Sequence, residues 1–116
     1  MTISELINKT EKTAFSFEVL PPLKGTGTSA LFRTIDTLKE FAPEYINITT
    51  HRSEYIYVEQ PDGTYIRHFM RRRPGTVAVA SAIMQKYNIK VVPHVVVSGM
   101  TKEEIEYTLL DLQFLG

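Results

Sequence analysis

Three times in succession a short β-patterned run gives way to helical spacing, and that alternation restricts the fold more than any other feature of the chain. The first run, Ala14-Phe15-Ser16-Phe17-Glu18-Val19-Leu20, sets Phe15, Phe17 and Val19 against Ser16, Glu18 and Leu20. Pro21-Pro22 stops it, since neither proline can donate to a strand ladder. After the loop Lys24-Gly25-Thr26-Gly27-Thr28, a helix is predicted over 30–41, capped by Thr28 or Ser29, with Leu31, Ile35 and Leu38 on its apolar face. Pro43 breaks it, and residues 44–50 read as a second strand. The third run, 89–97, is almost wholly apolar, the pattern of a strand covered on both faces of a parallel sheet. Thr101-Lys102-Glu103-Glu104 then forms a capping box. The helix it opens carries Ile105, Leu109 and Leu112 and reaches Gly116, a residue suited to a C-terminal cap. Repeated strand-helix units imply an α/β fold with a parallel sheet and right-handed crossovers.

Two segments lie outside that series. Ile3, Leu6 and Ile7 predict a helix over 3–12. Residues 51–75 read as a hairpin excursion: Tyr55-Ile56-Tyr57-Val58 and Thr64-Tyr65-Ile66-Arg67-His68-Phe69 flank Gln60-Pro61-Asp62-Gly63, and Asp-Gly is a strong turn signal. Thr76 then caps a helix over 76–87 with Val77, Ala80, Ile83 and Met84 inward. Three parallel strands leave two raw edges and thinly covered faces. The elements therefore read as the opening of a larger parallel structure, and self-association into a homo-oligomer is expected.

At 116 residues the length is that of one domain, and 43% apolar with 22% charged residues excludes disorder and collagen-like repeats. Thirteen basic side chains balance thirteen acidic ones, so nothing electrostatic argues for nucleic acid or an anionic membrane. With no cysteine there is no disulfide framework, thiolate nucleophile or zinc-thiolate site, which suits a reducing compartment. Met-Thr-Ile-Ser-Glu lacks the basic and apolar regions of a signal peptide, and no window holds the roughly 18 apolar residues of a membrane span. A cytoplasmic domain is expected.

Glu18 is the foremost candidate for chemistry. Among Phe15, Phe17 and Val19 its charged form would be desolvated, raising its pKa and suiting it to general-acid work near neutrality. The plainer reading is an edge carboxylate in solvent or paired with a lysine such as Lys24. His94 lies within the apolar run at a strand's C-terminal end, where parallel α/β folds build their sites. It can equally be a core histidine satisfied by one backbone partner. Thr49 ends the second strand at a comparable level. Arg71-Arg72-Arg73, ahead of a helix start, suits an anion, although a solvated loop is the preferred reading. Lys24-Gly25-Thr26-Gly27-Thr28 lacks the spacing of a phosphate loop. His51 and His68 have no metal-ligand pattern, and no serine-hydrolase elbow is present.

Phe15-Ser16-Phe17-Glu18-Val19-Leu20-Pro21-Pro22 resembles the segment with which the 5,10-methylenetetrahydrofolate reductase family opens its barrel. Ile46-Asn47-Ile48-Thr49 is similar to that family's second strand, Pro93-His94-Val95-Val96-Val97 to its Pro-His third strand, and Thr101-Lys102-Glu103-Glu104-Ile105 to the helix that follows. The motifs come in order over nearly the whole chain. Residues 51–75, ending Arg-Arg-Pro-Gly-Thr, look like a bacterial version of the family. Thr50-His51 stands where many members carry an aromatic residue and a glycine.

The resemblance implies a (β/α)₈ TIM barrel, of which residues 1–116 would be the N-terminal part, about three of eight units. It implies a flavoprotein in which NAD(P)H reduces FAD and a hydride passes to methylenetetrahydrofolate, a folate of one-carbon metabolism, giving the methyltetrahydrofolate used in methionine synthesis. Glu18 matches the family's general acid, which helps open the folate ring to an iminium ion. Thr49 and His94 match positions that contact the flavin. The 116 residues by themselves are expected to be inactive, with the family's Leu-Arg-Gly-Asp flavin motif expected on a fourth strand. The alternative is a non-enzymatic α/β binding or interaction module that offers its hairpin to a partner.

Overall fold

Residues 2–9, 11–50 and 54–116 are described in the computed structural model. Strands β1 (Ser16–Val19), β2 (Tyr45–Ile48) and β5 (Lys90–Pro93) form one parallel sheet in the order β1-β2-β5. Helices α2 (Ser29–Leu38) and α3 (Thr76–Lys86) lie between them in sequence, and α4 (Lys102–Leu115) follows β5. The mixed α/β architecture and the parallel sheet are therefore as the strand-helix series implies. Among the described residues β1 and β5 carry no further strand on their outer edges.

Each strand is shorter than its apolar run. Seven alternating residues at 14–20 contribute four to β1, and 44–50 contribute four to β2. The largest difference is at 89–97, where only Lys90–Pro93 pair with β2. The last bond in line runs from the His94 N–H to the Ile48 carbonyl at 2.9 Å. β2 itself ends at Ile48, and among the described residues 95–97 pair with no strand. Val95 and Val97 are exposed, so the run is not covered on both faces.

One face of the sheet packs under α2 and α3. Ile35, Ile46, Ile48, Ala80 and Ile83 are fully excluded from solvent, with Val19, Leu31, Val79 and Tyr87 beside them. Leu31, Ile35 and Leu38 face the core as their spacing predicts, and residues 39–41 tighten into a 3₁₀ turn that ends α2. In α3 the buried stripe is Thr76, Val79, Ala80 and Ile83. Met84, expected inward, is exposed. Counting i, i+3, i+4, i+7 from Thr76 gives the observed stripe and leaves Met84 one position off it. Thr76 is also the first helical residue, the cap being Gly75.

The capping box of α4 forms reciprocally: Glu104 N–H donates to Thr101 Oγ1 at 3.1 Å, and Thr101 N–H donates to Glu104 Oε2 at 2.9 Å. Gly116 takes a left-handed φ of +93° and donates to the Leu112 carbonyl. Ile105, Thr108, Leu112 and Leu115 make the half-buried stripe toward α3. Leu109, expected inward, is exposed beside it with Leu110 and Phe114. Helix α1 (Ile3–Lys9) stops before the predicted 12 and buries no residue, so nothing tertiary sustains a further turn. Thr10 lies outside the described residues.

Strands β3 (Glu54–Glu59) and β4 (Tyr65–Met70) form a separate antiparallel sheet, paired from Glu54↔Met70 to Glu59↔Tyr65. The turn is built as Asp-Gly predicts. Gly63 has φ +85° and donates to the Gln60 carbonyl, while Asp62 Oδ1 accepts from both the N–H and the hydroxyl of Thr64. Residues 51–53 lie outside the described residues. The hairpin packs chiefly on itself, and the radius of gyration is 17.6 Å, against about 13 Å for a compact domain of about 100 residues.

Candidate functional site

Residues in register on parallel strands face the same side of a sheet. Val19, Ile48 and Pro93 are in register, as are Glu18, Asn47 and Val92. Burial of Val19 and Ile48 under the helices assigns their row to the core. Glu18 and Asn47 therefore stand on the opposite, open face. Thr49 and His94, each two positions further along, return to that face by the alternation at the C-terminal end of the strands. Glu18 on β1, Thr49 just past β2 and His94 just past β5 thus stand at one end of one face.

Glu18 is solvent-exposed there. The desolvating setting expected from its neighbours does not form. Phe15 is itself 61% exposed, and Phe17 and Val19 point to the other side of the sheet. A strand's two faces are separate environments, so flanking apolar residues leave a carboxylate between them in water.

His94 is half-buried and held at four points. Its N–H donates to the Ile48 carbonyl, and its own carbonyl accepts from the hydroxyls of Thr50 and Thr76, the latter at 2.9 Å. Its ring Nε2 lies 3.3 Å from Asn47 Oδ1. An amide oxygen can only accept, so the ring donates to it through Nε2–H. The ring thus has a side-chain partner on the open face, unlike a core histidine satisfied by one backbone group. Thr49 N–H donates to the Val19 carbonyl at 3.0 Å and its hydroxyl to the same oxygen at 3.4 Å. It closes the end of β1 and keeps oxygen lone pairs for a further donor.

Asn47, Thr50 and Thr76 belong to this arrangement and escaped the sequence reading. Asn47 was legible by parity, lying two residues before Thr49 on the same strand. Thr76 looked like a helix cap, and its bond to a carbonyl 18 residues away has no local signal. Arg73 departs from the solvated-loop reading, since it is half-buried and its guanidinium donates to the Pro21 carbonyl. The loop after β1 is tied to the same segment by Lys24 N–H donating to the Arg72 carbonyl at 2.7 Å.

The open face offers an imidazole, a carboxamide, a hydroxyl and a carboxylate, groups suited to the polar edge of a heterocycle. Among the described residues no group of three or more His, Cys, Asp or Glu could hold a metal ion. His68 is on β4, and His51 lies outside the described residues. No helix among them is long and apolar enough to cross a membrane.

Comparison with known families matches residues 2–116 to the family described as methylenetetrahydrofolate reductase. No curated protein and no solved structure matches the chain.

Proposed function

This chain belongs to the methylenetetrahydrofolate reductase family, and we propose that its open sheet face is part of a site where a flavin mediates reduction of methylenetetrahydrofolate by NAD(P)H. The observation that carries this reading is the convergence of Glu18, Thr49 and His94 at the C-terminal end of three parallel strands, where folds of this kind build their active sites. FAD, when bound, would supply the hydride carrier between NAD(P)H and the folate. The edge of its ring system suits the donors and acceptors found here: His94, oriented by Asn47, and the Thr49 hydroxyl would hold it.

Glu18 is the general acid. It stands on the same face, in register with Asn47, so a folate lying along the strand ends comes within its reach. The proton it holds goes to a nitrogen of the folate's one-carbon bridge and opens it. For that role the carboxyl group must be shielded from water by substrate or by further protein, since β1 alone leaves it exposed.

Support for a barrel comes from the outer edges of β1 and β5, which pair with no strand among the described residues, and from the exposed Leu109, Leu110 and Phe114 of α4. These 116 residues are then the first three strand-helix units of a (β/α)₈ barrel, with the hairpin an insertion after the second strand. They are inactive by themselves, and the reductase acts as a cytoplasmic homo-oligomer. A second reading, an interaction module without catalysis, is favoured by the hairpin alone, which exposes Tyr55, Tyr57, Tyr65 and Phe69.

The test is Glu18→Gln in the protein that contains this chain, with the two half-reactions followed separately. Flavin reduction by NAD(P)H should persist and folate reduction should be abolished. If both half-reactions run unchanged, Glu18 is not the acid.

A further inference from the structure

The loop that follows β1 and the segment leading into α3 close around a cleft of about 540 Å³. Two bonds hold its walls together, Lys24 N–H to the Arg72 carbonyl and the Arg73 guanidinium to the Pro21 carbonyl. The floor is apolar, made by Pro22, Leu31, Val79 and Ala82, and the charged lining is Lys24, Arg71 and Arg73. Among the described residues no Asp or Glu lines it, although the chain as a whole is neutral. Neither Glu18, Asn47, Thr49 nor His94 reaches it.

We propose that this cleft binds a phosphate monoester carried on a flat, weakly polar ring. Three cations, with no carboxylate among the described lining residues, in a concave, mostly apolar setting focus positive potential on one spot. Arginine forks match phosphate oxygens in pairs, and lysine adds a point charge. Arg71 lies against the start of α3, where a Cβ built on Gly75 would sit 3.4 Å from its guanidinium. Gly25 and Gly27, both at positive φ, have open space where a side chain would stand, so a ligand can approach the loop backbone closely. The volume lies within the range of small-molecule sites, roughly 300–1,000 Å³. Bare phosphate would leave the apolar floor wet, and an uncharged ring would leave the cationic rim unpaired. The two sequence features concerned, Lys24-Gly25-Thr26-Gly27-Thr28 and Arg71-Arg72-Arg73, are each weak alone. Folding makes them one site.

Adenosine monophosphate, adenosine and inorganic phosphate serve as probes, titrated into the ¹⁵N-labelled 116-residue chain at low salt. Adenosine monophosphate should move the amide signals of Gly25, Gly27 and Gly75, with binding that weakens as salt is added. Adenosine and inorganic phosphate should each bind at least about tenfold more weakly. Arg71→Gln and Lys24→Gln, both at exposed positions, should each weaken adenosine monophosphate about tenfold with an unchanged circular dichroism spectrum. The proposal is overturned if adenosine monophosphate leaves those glycines unmoved, if either partial probe binds as tightly, or if both variants bind like the parent.

Discussion

His94 and Asn47, 47 residues apart, meet through a 3.3 Å contact between Nε2 and Oδ1 on the open face of the sheet. The contact fixes the orientation of the imidazole, because the His94 backbone is already pinned on both sides by Ile48, Thr50 and Thr76. Removing the amide by Asn47→Ala frees the ring and nothing else. The expected cost is about 1 kcal/mol, the usual net value of a neutral hydrogen bond. Urea unfolding measures it, and a midpoint equal to the parent's would show that the contact contributes nothing.

Thr76 is the structural partner of that pair. Its hydroxyl is buried and donates to the His94 carbonyl across 18 residues, joining α3 to the end of β5. Thr76→Val keeps the shape and deletes the donor, so it should lose about 1 kcal/mol. Thr76→Ser keeps the donor and should lie closer to the parent. A Thr76→Val variant as stable as the parent, with Thr76→Ser below both, would mean that the methyl group, and not the bond, matters at this position.

The order of strands and helices was legible in the sequence because each element carries its own period. The positions of Pro21, Pro43 and Gly63 also mark ends and turns by backbone chemistry alone. Strand lengths were not legible, since Val95 and Val97 have the composition of a strand and pair with none among the described residues, and pairing is a property of two segments. Parity placed Glu18 opposite Phe17 correctly, but its exposure depends on what covers the open face. The inward faces of α3 and α4 were read one position off at Met84 and Leu109, where a stripe's edge is decided by the neighbouring helix.

Tyr87 should govern stability in alkali. Its hydroxyl donates to Asp36 Oδ1 at 2.8 Å and to the Phe32 carbonyl at 3.0 Å. Burial first, and then the bond to Asp36, push its pKa up from 10.0 to about 12. A pKa raised on folding stabilises the native state fully below the unfolded value and is lost as pH climbs through the folded one. Stability should therefore fall between about pH 10 and 12, and Tyr87→Phe should remove that dependence. Phenolate absorbance should show one of the six tyrosines titrating late in the parent. Loss of the late component in a variant at another tyrosine instead would reassign it.

The same bond acts at the acid end with the opposite sign. The Tyr87 hydroxyl, with Lys39 and Lys86 adding their charges, holds the Asp36 carboxyl below its ordinary value of 3.8. A depressed carboxylate stabilises the fold above its unfolded pKa and loses that contribution as pH falls through the folded one. Tyr87→Phe should thus flatten the acid limb of the stability curve below about pH 4 as well as the alkaline limb. Denaturant midpoints taken across both ranges check it, and an acid limb identical to the parent's would show that Asp36 is held by its lysines alone.

Ala42 ends the 3₁₀ turn after α2 at φ +49°, the one non-glycine residue with positive φ among the described residues. Its N–H donates to the Lys39 carbonyl at 3.0 Å, so the left-handed geometry closes the helix end. A Cβ in that region costs roughly 1–2 kcal/mol. Glycine removes the cost but gives the unfolded chain more freedom, worth about 0.4–1 kcal/mol. The balance favours the native state: Ala42→Gly should stabilise the fold by up to about 1.6 kcal/mol, read as a higher denaturant midpoint at unchanged slope. Ala42→Val, with a branched Cβ, should do the reverse. A lower midpoint for the glycine variant would show that the turn holds Ala42 without strain.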